Sequence, residues 1–432
     1  MTSRRDFIVS TGAAIAAANL PGRALGAASN EGSVEKLLAR FAEELLADYP
    51  ESATALGIDN GERAFLKAKL SDRSAAGQAT IAKRVTQRLA QLKAIDAAGL
   101  SDAVRIDVDV MSTAHEFAAE GFRFPYGDVA LLNLSWSWRN APYVVAQNTG
   151  AFLEIPGMLE EQHTIATQED ADAYLERLES YATQLDGETA RLHSAASQGV
   201  IAPDFLLDKT LNQLRLARAS TGADWATVTA LARKAAGLSG DHGKQAAKIA
   251  TDKIAPALDR QIRELEAHRK RATSDAGAWK LPQGDAYYAW ALKAATTTQM
   301  TPDQIHDRGQ EELRALQSEM DAILRSQGMT QGTVGERMTA LGKQERFRFA
   351  ESDEGRAKLM KFLHERVADM RTRLPRAFAT LVPGNLEIKR MPPEVEPGAP
   401  GAYGGAGTID GKVPGKFWIH MHTMAVCTTS HV

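Results

Sequence analysis

The chain has 432 residues, 44% of them hydrophobic and 24% charged, the balance of an ordinary globular protein. A formal net charge of −3 gives no electrostatic reason for a nucleic-acid or anionic-membrane partner, and the single cysteine, Cys427, excludes an intrachain disulfide and any cysteine-rich metal or iron–sulfur centre. Beyond the N-terminus no apolar run is long enough to span a bilayer.

At the start, Ser3-Arg4-Arg5-Asp6-Phe7-Ile8 places two arginines before an apolar residue. A weakly apolar stretch from Ile8 to Leu20 follows, and then Ala24-Leu25-Gly26-Ala27-Ala28 offers small residues for cleavage. Charged start, apolar middle and small-residue site together read residues 1–28 as a twin-arginine signal peptide. The expectation is a periplasmic or secreted protein that meets the twin-arginine export machinery and keeps no transmembrane anchor after cleavage. No cysteine lies near the cleavage region, which excludes a lipid anchor on cysteine. The alternative reading of this stretch is a frayed N-terminal helix.

After residue 28, helical periodicity dominates. Ile81, Val85, Leu89, Leu92 and Ile95 form one apolar stripe; Tyr174, Leu178, Tyr181, Leu185 and Leu192 form a second, with Thr167 and Asp170 placed to cap it. Ile254, Leu258, Ile262 and Leu265 form a third. The fourth, Ile305, Gly309, Leu313, Leu316, Met320 and Ile323, opens with Thr301 as N-cap, Pro302 at the first position and Gln304 to close a capping box, and Gly328 is placed to end it. Leu363, Val367, Met370 and Leu374 form a fifth, which Pro375 bends or stops. Stripes at this spacing are read as core and assigned no chemistry. The expected fold is mainly α: an N-terminal helical region over 29–273, a second over 274–385, and a small β-containing section over 386–432. In that last section Leu386 to Met391 and Lys416 to His420 read as strands around a Pro/Gly-rich stretch from Pro392 to Gly407.

Candidate chemistry is sparse. A zinc-binding helix of the His-Glu-x-x-His type needs its second His four residues after the first, so that both imidazoles face one metal. Two His-Glu pairs occur, His115-Glu116 and His364-Glu365, but Ala119 and Ala368 stand at the required positions. His420 and His422 fall on one face if their strand continues, a weak metal candidate with no carboxylate beside it. The glycine-rich run Gly401 to Gly407 opens no helix and is not read as a phosphate cradle. Trp136, Trp138 and Tyr143 either line a cleft or pack a long loop onto the body.

Several segments carry a resemblance in order: Tyr49-Pro50-Glu51-Ser52-Ala53-Thr54-Ala55-Leu56-Gly57, Tyr174-Leu175-Glu176-Arg177-Leu178, Tyr287-Tyr288-Ala289-Trp290-Ala291-Leu292, Thr301-Pro302-Asp303-Gln304-Ile305-His306, Leu374-Pro375-Arg376-Ala377-Phe378 and Pro414-Gly415-Lys416-Phe417-Trp418-Ile419. In these the chain resembles the bacterial "domain of unknown function 885" family, grouped with the thermolysin-like zinc peptidases. The resemblance implies a zincin-like, mostly helical fold with a cleft. It also implies hydrolysis of peptides by water on a Zn²⁺ held by a His-Glu-x-x-Pro-Gly-His-His helix. It further implies that Phe417, Trp418 and Ile419 lie on an edge strand that pairs with the extended substrate; Tyr403 is a further substrate-binding candidate.

No such helix motif is present in these 432 residues. The sequence departs from the family's pattern after Ile419, and the stretch from about 420 reads as aberrant, with a frameshift or premature stop as the leading explanation and a shorter paralogue as the alternative. The resulting expectation is an exported, metallopeptidase-like protein without catalytic residues or zinc of its own, incomplete as a zincin. The competing expectations are a non-catalytic extracytoplasmic peptide-binding protein and a helical scaffold.

Overall fold

Short polar side chains start the helices where their hydroxyls or carboxylates can accept the first free backbone N–H groups. The structure, a computed structural model, describes residues 28–132, 140–147, 149–379, 381, 384–391, 401–409, 411 and 413–421. The twin-arginine stretch up to 27, Trp136, Trp138 and His422 lie outside the described residues. The chain is mainly α and divides into two compact units between Gln299 and Met300.

The first unit contains α1 (Ala28–Asp48), α2 (Pro50–Leu56), a 3₁₀ segment (Gly61–Ala68), α3 (Ala75–Lys93), α4 (Asp102–Gly121), α5 (Ala151–Glu161), α6 (Gln168–Ser197), α7 (Asp204–Ser220), α8 (Ala226–Lys234), α9 (His242–Ile249), α10 (Ala255–Arg269) and α11 (Gly284–Thr296). A π turn over Ala250–Ile254 joins α9 to α10 just before Pro256, whose missing N–H breaks the regular ladder. Thr167 and Asp170 form the expected capping box at the start of α6. The stripe of Tyr174, Leu178, Tyr181 and Leu185 is fully buried against Leu258 and Leu265 of α10.

The helix over 284–296 belongs with this unit. Tyr287 and Trp290 are buried with Phe41, Ile81 and Met111, and Trp290 Nε1 donates to Phe117 O at 2.8 Å. Gly121 is required there, because a Cβ would stand 2.1 Å from the Trp290 ring.

A second stripe of α6 is polar, and the unit is built around it. Arg177 is fully buried and donates to the carbonyls of Lys69 (2.9 Å) and Leu66 (3.2 Å) and to Thr54 Oγ1 (2.7 Å). Burial lowers its pKa to about 10, against the opposing pull of Glu51 and Asp59, so it stays charged at neutral pH. It also donates to His163 Nδ1 at 3.1 Å, which leaves the Nε2 proton for Asp170 O at 3.0 Å. About three turns further on, Glu188 accepts from Arg73 at 2.9 Å and from the N–H of Ala151, the first residue of α5. Arg73 reaches Glu154 of α5 at 2.6 Å with its other nitrogen. One guanidinium thus ties the loop before α3 to both α5 and α6.

The second unit contains α12 (Pro302–Ser326), α13 (Val334–Gly342), α14 (Asp353–Ala377) and three strands, β1 (Leu386–Arg390), β2 (Ala402–Gly405) and β3 (Gly415–Ile419). Thr301 and Gln304 close their capping box, and Gly328 follows with φ 79°, as the sequence predicts. The fourth stripe is not core: Leu313, Leu316 and Ile323 are 48%, 54% and 63% exposed, and of α12 only Leu324 is buried. The period identifies a face of the helix, but among the described residues nothing covers it. Pro375 lies inside α14, which runs two residues past it and stops at Phe378.

Two buried carboxylates share the single guanidinium of Arg73, so one charge is unmatched. Burial pushes Glu154 up to about 7, with Arg73 opposing and Glu188 adding to the rise. Because the folded-state value exceeds the ordinary 4.5, protonation favours the native state. Its contribution is fully present below 4.5 and is lost as pH rises to 7, a span that amounts to about 3 kcal/mol. Urea unfolding at pH 4.5, 6 and 7.5 is expected to show stability falling over this window, and Glu154→Gln is expected to flatten the fall. An unchanged slope in that variant would assign the effect elsewhere.

Candidate functional site

The three strands form a sheet in the order β1-β3-β2, with β3 parallel to β1 and antiparallel to β2. β1 alternates in the usual way for a sheet with one covered face: Ile388 is buried, while Glu387 and Lys389 face the other side. Ile388, Ile419 and Met421 pack with Leu359 and Leu363 of α14, which fixes the sheet on that helix. Gly407 lets the chain turn back tightly beneath β3, since a Cβ there would stand 2.4 Å from Val413 O.

Among the described residues β3 is the central strand, not the edge strand that the family resemblance implies. Its backbone is used on both sides. Met391 N donates to Ile419 O at 2.9 Å on the β1 side, and His420 N donates to Gly401 O at 3.0 Å on the β2 side. The antiparallel alternation that begins with the Gly401–His420 pair turns the backbone groups of Tyr403 toward Trp418 and those of Ala402 and Gly404 outward. Among the described residues no strand pairs with that outer side of β2. Among the described residues both neighbours of β3 are thus edge strands: β1, which carries Glu387, Lys389 and Arg390, and β2, which carries Tyr403 and otherwise only Ala and Gly.

The sequence-predicted residues divide by face. Phe417 and Ile419 share the α14-facing side, where Ile419 is buried and Phe417 is 38% exposed. Trp418 lies on the opposite side, in register with Lys389 of β1 and Tyr403 of β2. Lys389 Nζ stands 5.8 Å from the Trp418 ring centre and 2.7 Å from Glu387 Oε2. The hydrogen bond from Lys389 holds the Glu387 carboxyl below the usual carboxylate range, and the neighbouring Lys389 and Lys416 charges act in the same direction. Tyr143 is half-buried between the two large cores of the first unit, the packing alternative for that loop aromatic.

Neither His-Glu pair forms a metal site, and His422, the partner of His420 in the weak metal candidate, lies outside the described residues. His115 is buried, with Nδ1 2.7 Å from Met111 O, and burial lowers its pKa to about 4. Glu116 instead pairs with Lys93 at 3.1 Å. His364 meets its own helix at Met360 O, also at 2.7 Å. Among the described residues no three His, Cys, Asp or Glu side chains form a group that could hold a metal ion. The described residues therefore do not fit a zinc centre.

Two features escape sequence reasoning. β2 is hidden because Ala402-Tyr403-Gly404-Gly405 lacks the β-branched residues that mark a strand. The buried polar stripe of α6 is hidden because charged helix residues are usually solvated. Its one signal is spacing, since Arg177, Gln184, Glu188 and Arg191 recur at helical intervals.

A family described as bacterial protein of unknown function (DUF885) matches residues 50–431. The chain belongs to that family. The match runs past Ile419 to residue 431, so the stretch from about 420, expected to depart from the DUF885 pattern, lies inside it. A comparison with curated proteins finds no match. A solved structure described as "the putative lipoprotein from Colwellia psychrerythraea" is similar with a TM-score of 0.83 and 22% identity, over 93% of this chain and 69% of that one. A second, described as "a putative lipoprotein of unknown function from Shewanella oneidensis", has a TM-score of 0.52 and 15% identity, over 85% of this chain and 61% of that one. This chain therefore spans about two thirds of those proteins' length. At these identities the likeness shows the fold alone.

Protein loaded with zinc and then dialysed is expected to retain well under one zinc per chain by elemental analysis. One tightly held zinc per chain would reveal a donor set that the described residues do not supply.

Proposed function

We propose that this chain is an exported protein that holds an extended peptide along the outer edge of β2. The observation that carries this reading is the outward-facing backbone of Ala402 and Gly404, which no described strand pairs. An exposed row of N–H and C=O groups is a template for an added strand, and proteins that do not use such an edge usually blunt it. Here the two positions whose backbone faces outward, Ala402 and Gly404, are small, and Ala402 is exposed. The N-terminal twin-arginine pattern supports an extracytoplasmic setting for this role.

Hydrolysis of that peptide by metal-activated water is what the family resemblance implies, and it remains a separate reading. It requires a metal-ligand set, and among the described residues no three His, Cys, Asp or Glu side chains form one. The peptide-holding role requires only the edge.

Anisotropy titration of a fluorescent six-residue extended peptide tests the proposal. N-methylation at alternate peptide residues removes only the N–H groups that face β2, so one parity is expected to weaken binding by about fivefold per lost bond and the other to leave it unchanged. Ala402→Pro removes one outward N–H at a position where an edge strand tolerates proline, and it is expected to weaken binding without loss of fold. Equal binding by both methylated series would reject strand addition.

A further inference from the structure

The edge of β2 carries two adjacent glycines, and they open different surroundings on the two faces of the sheet. Gly404 pairs with Phe417, and a Cβ on Gly404 would stand 3.3 Å from Phe417 Cδ2. The half-exposed Phe417 ring therefore lies across the space that a side chain at 404 would fill. Gly405 pairs with Lys416, and a Cβ there would meet nothing within 4 Å. That second face also carries Lys389 and Glu387, which pair with each other at 2.7 Å, and Lys416 in register with Gly405.

We infer that the bound peptide presents an apolar side chain opposite Gly404 and, at the adjacent position, an acidic side chain opposite Gly405. This deepens the strand-addition reading and rests on it. An added strand lies about 4.8 Å beyond β2, and its successive side chains point to opposite faces. The residue opposite Gly404 points to the Phe417 face, where no β2 side chain intervenes and the ring offers apolar contact. Its neighbour points to the other face, where Gly405 leaves clear space between the peptide and Lys416. The peptide lies two strand spacings from β3, about 10 Å, a gap that an aromatic ring or a long lysine side chain spans over a position that carries no side chain. Phe417 and Lys416 thus act as specificity-determining residues on opposite faces of one strand.

Three labelled peptides test the inference: Thr-Thr-Leu-Glu-Thr-Thr, Thr-Thr-Ser-Glu-Thr-Thr and Thr-Thr-Leu-Lys-Thr-Thr. Replacing Leu by Ser is expected to weaken binding to the unaltered protein by about tenfold, the effect of losing one half-buried apolar side chain. In Phe417→Ala that difference is expected to shrink to less than about threefold, and in Phe417→Leu to persist in part. The preference for Glu over Lys is expected to reverse in Lys416→Glu. If all three peptides bind alike while N-methylation at alternate residues still weakens binding, the edge stands and the assigned specificity is wrong. If N-methylation has no effect, strand addition fails and this inference falls with it.

Discussion

A polar group taken out of water must find a partner within the protein, and this constraint organises both units of the chain. In the large helical unit it is met at Arg73, whose guanidinium lies between Glu154 and Glu188 and far from solvent. The unmatched carboxylate is eased by other donors. Ala151 N donates to Glu188, Gly150 N donates to Glu154, and Gln261 Nε2 stands 3.4 Å from Glu188. Arg177 meets the same constraint with carbonyls in place of carboxylates. Because these partners come from loops and helices distant in sequence, matching the charges also fixes how those elements meet. The long helix α6 thus does two jobs on adjacent stripes, one apolar and one polar.

The small sheet of the second unit shows the same constraint left open. β3 is satisfied on both sides, β1 rests on α14 through Ile388, and β2 turns the backbone of Ala402 and Gly404 away from the sheet. Water can satisfy such an edge, but so can another strand. The proposed role rests on that difference: the large unit closes its polar groups inward, whereas the sheet presents a short run of main-chain groups outward, flanked by an aromatic ring and cationic side chains.

The chain's helices are legible in its sequence wherever the signal is local. Thr301 and Gln304 announce the start of α12, and Thr167 and Asp170 the start of α6, because a cap depends on residues three apart. Buried stripes such as Tyr174, Leu178 and Tyr181 are legible for the same reason. The exposed stripe of α12 shows the limit, since periodicity reports that a face is apolar but not what lies against it. Strand order is less legible still. Phe417 to Ile419 reads as a strand from its own residues, but its place between β1 and β2 is set by a glycine-rich segment with no strand signature. The carboxylates on Arg73 escape notice because pairing across 81 and 115 positions leaves no trace in either segment alone.

The central claim is that β2 receives a strand. Amide hydrogen exchange read by NMR, with and without saturating peptide, tests it at single residues. Bound peptide is expected to slow exchange at Ala402 and Gly404 by at least about tenfold while leaving Tyr403, already directed toward β3, unchanged. Unchanged exchange at Ala402 and Gly404 under saturation, or protection confined to another part of the chain, would contradict the account.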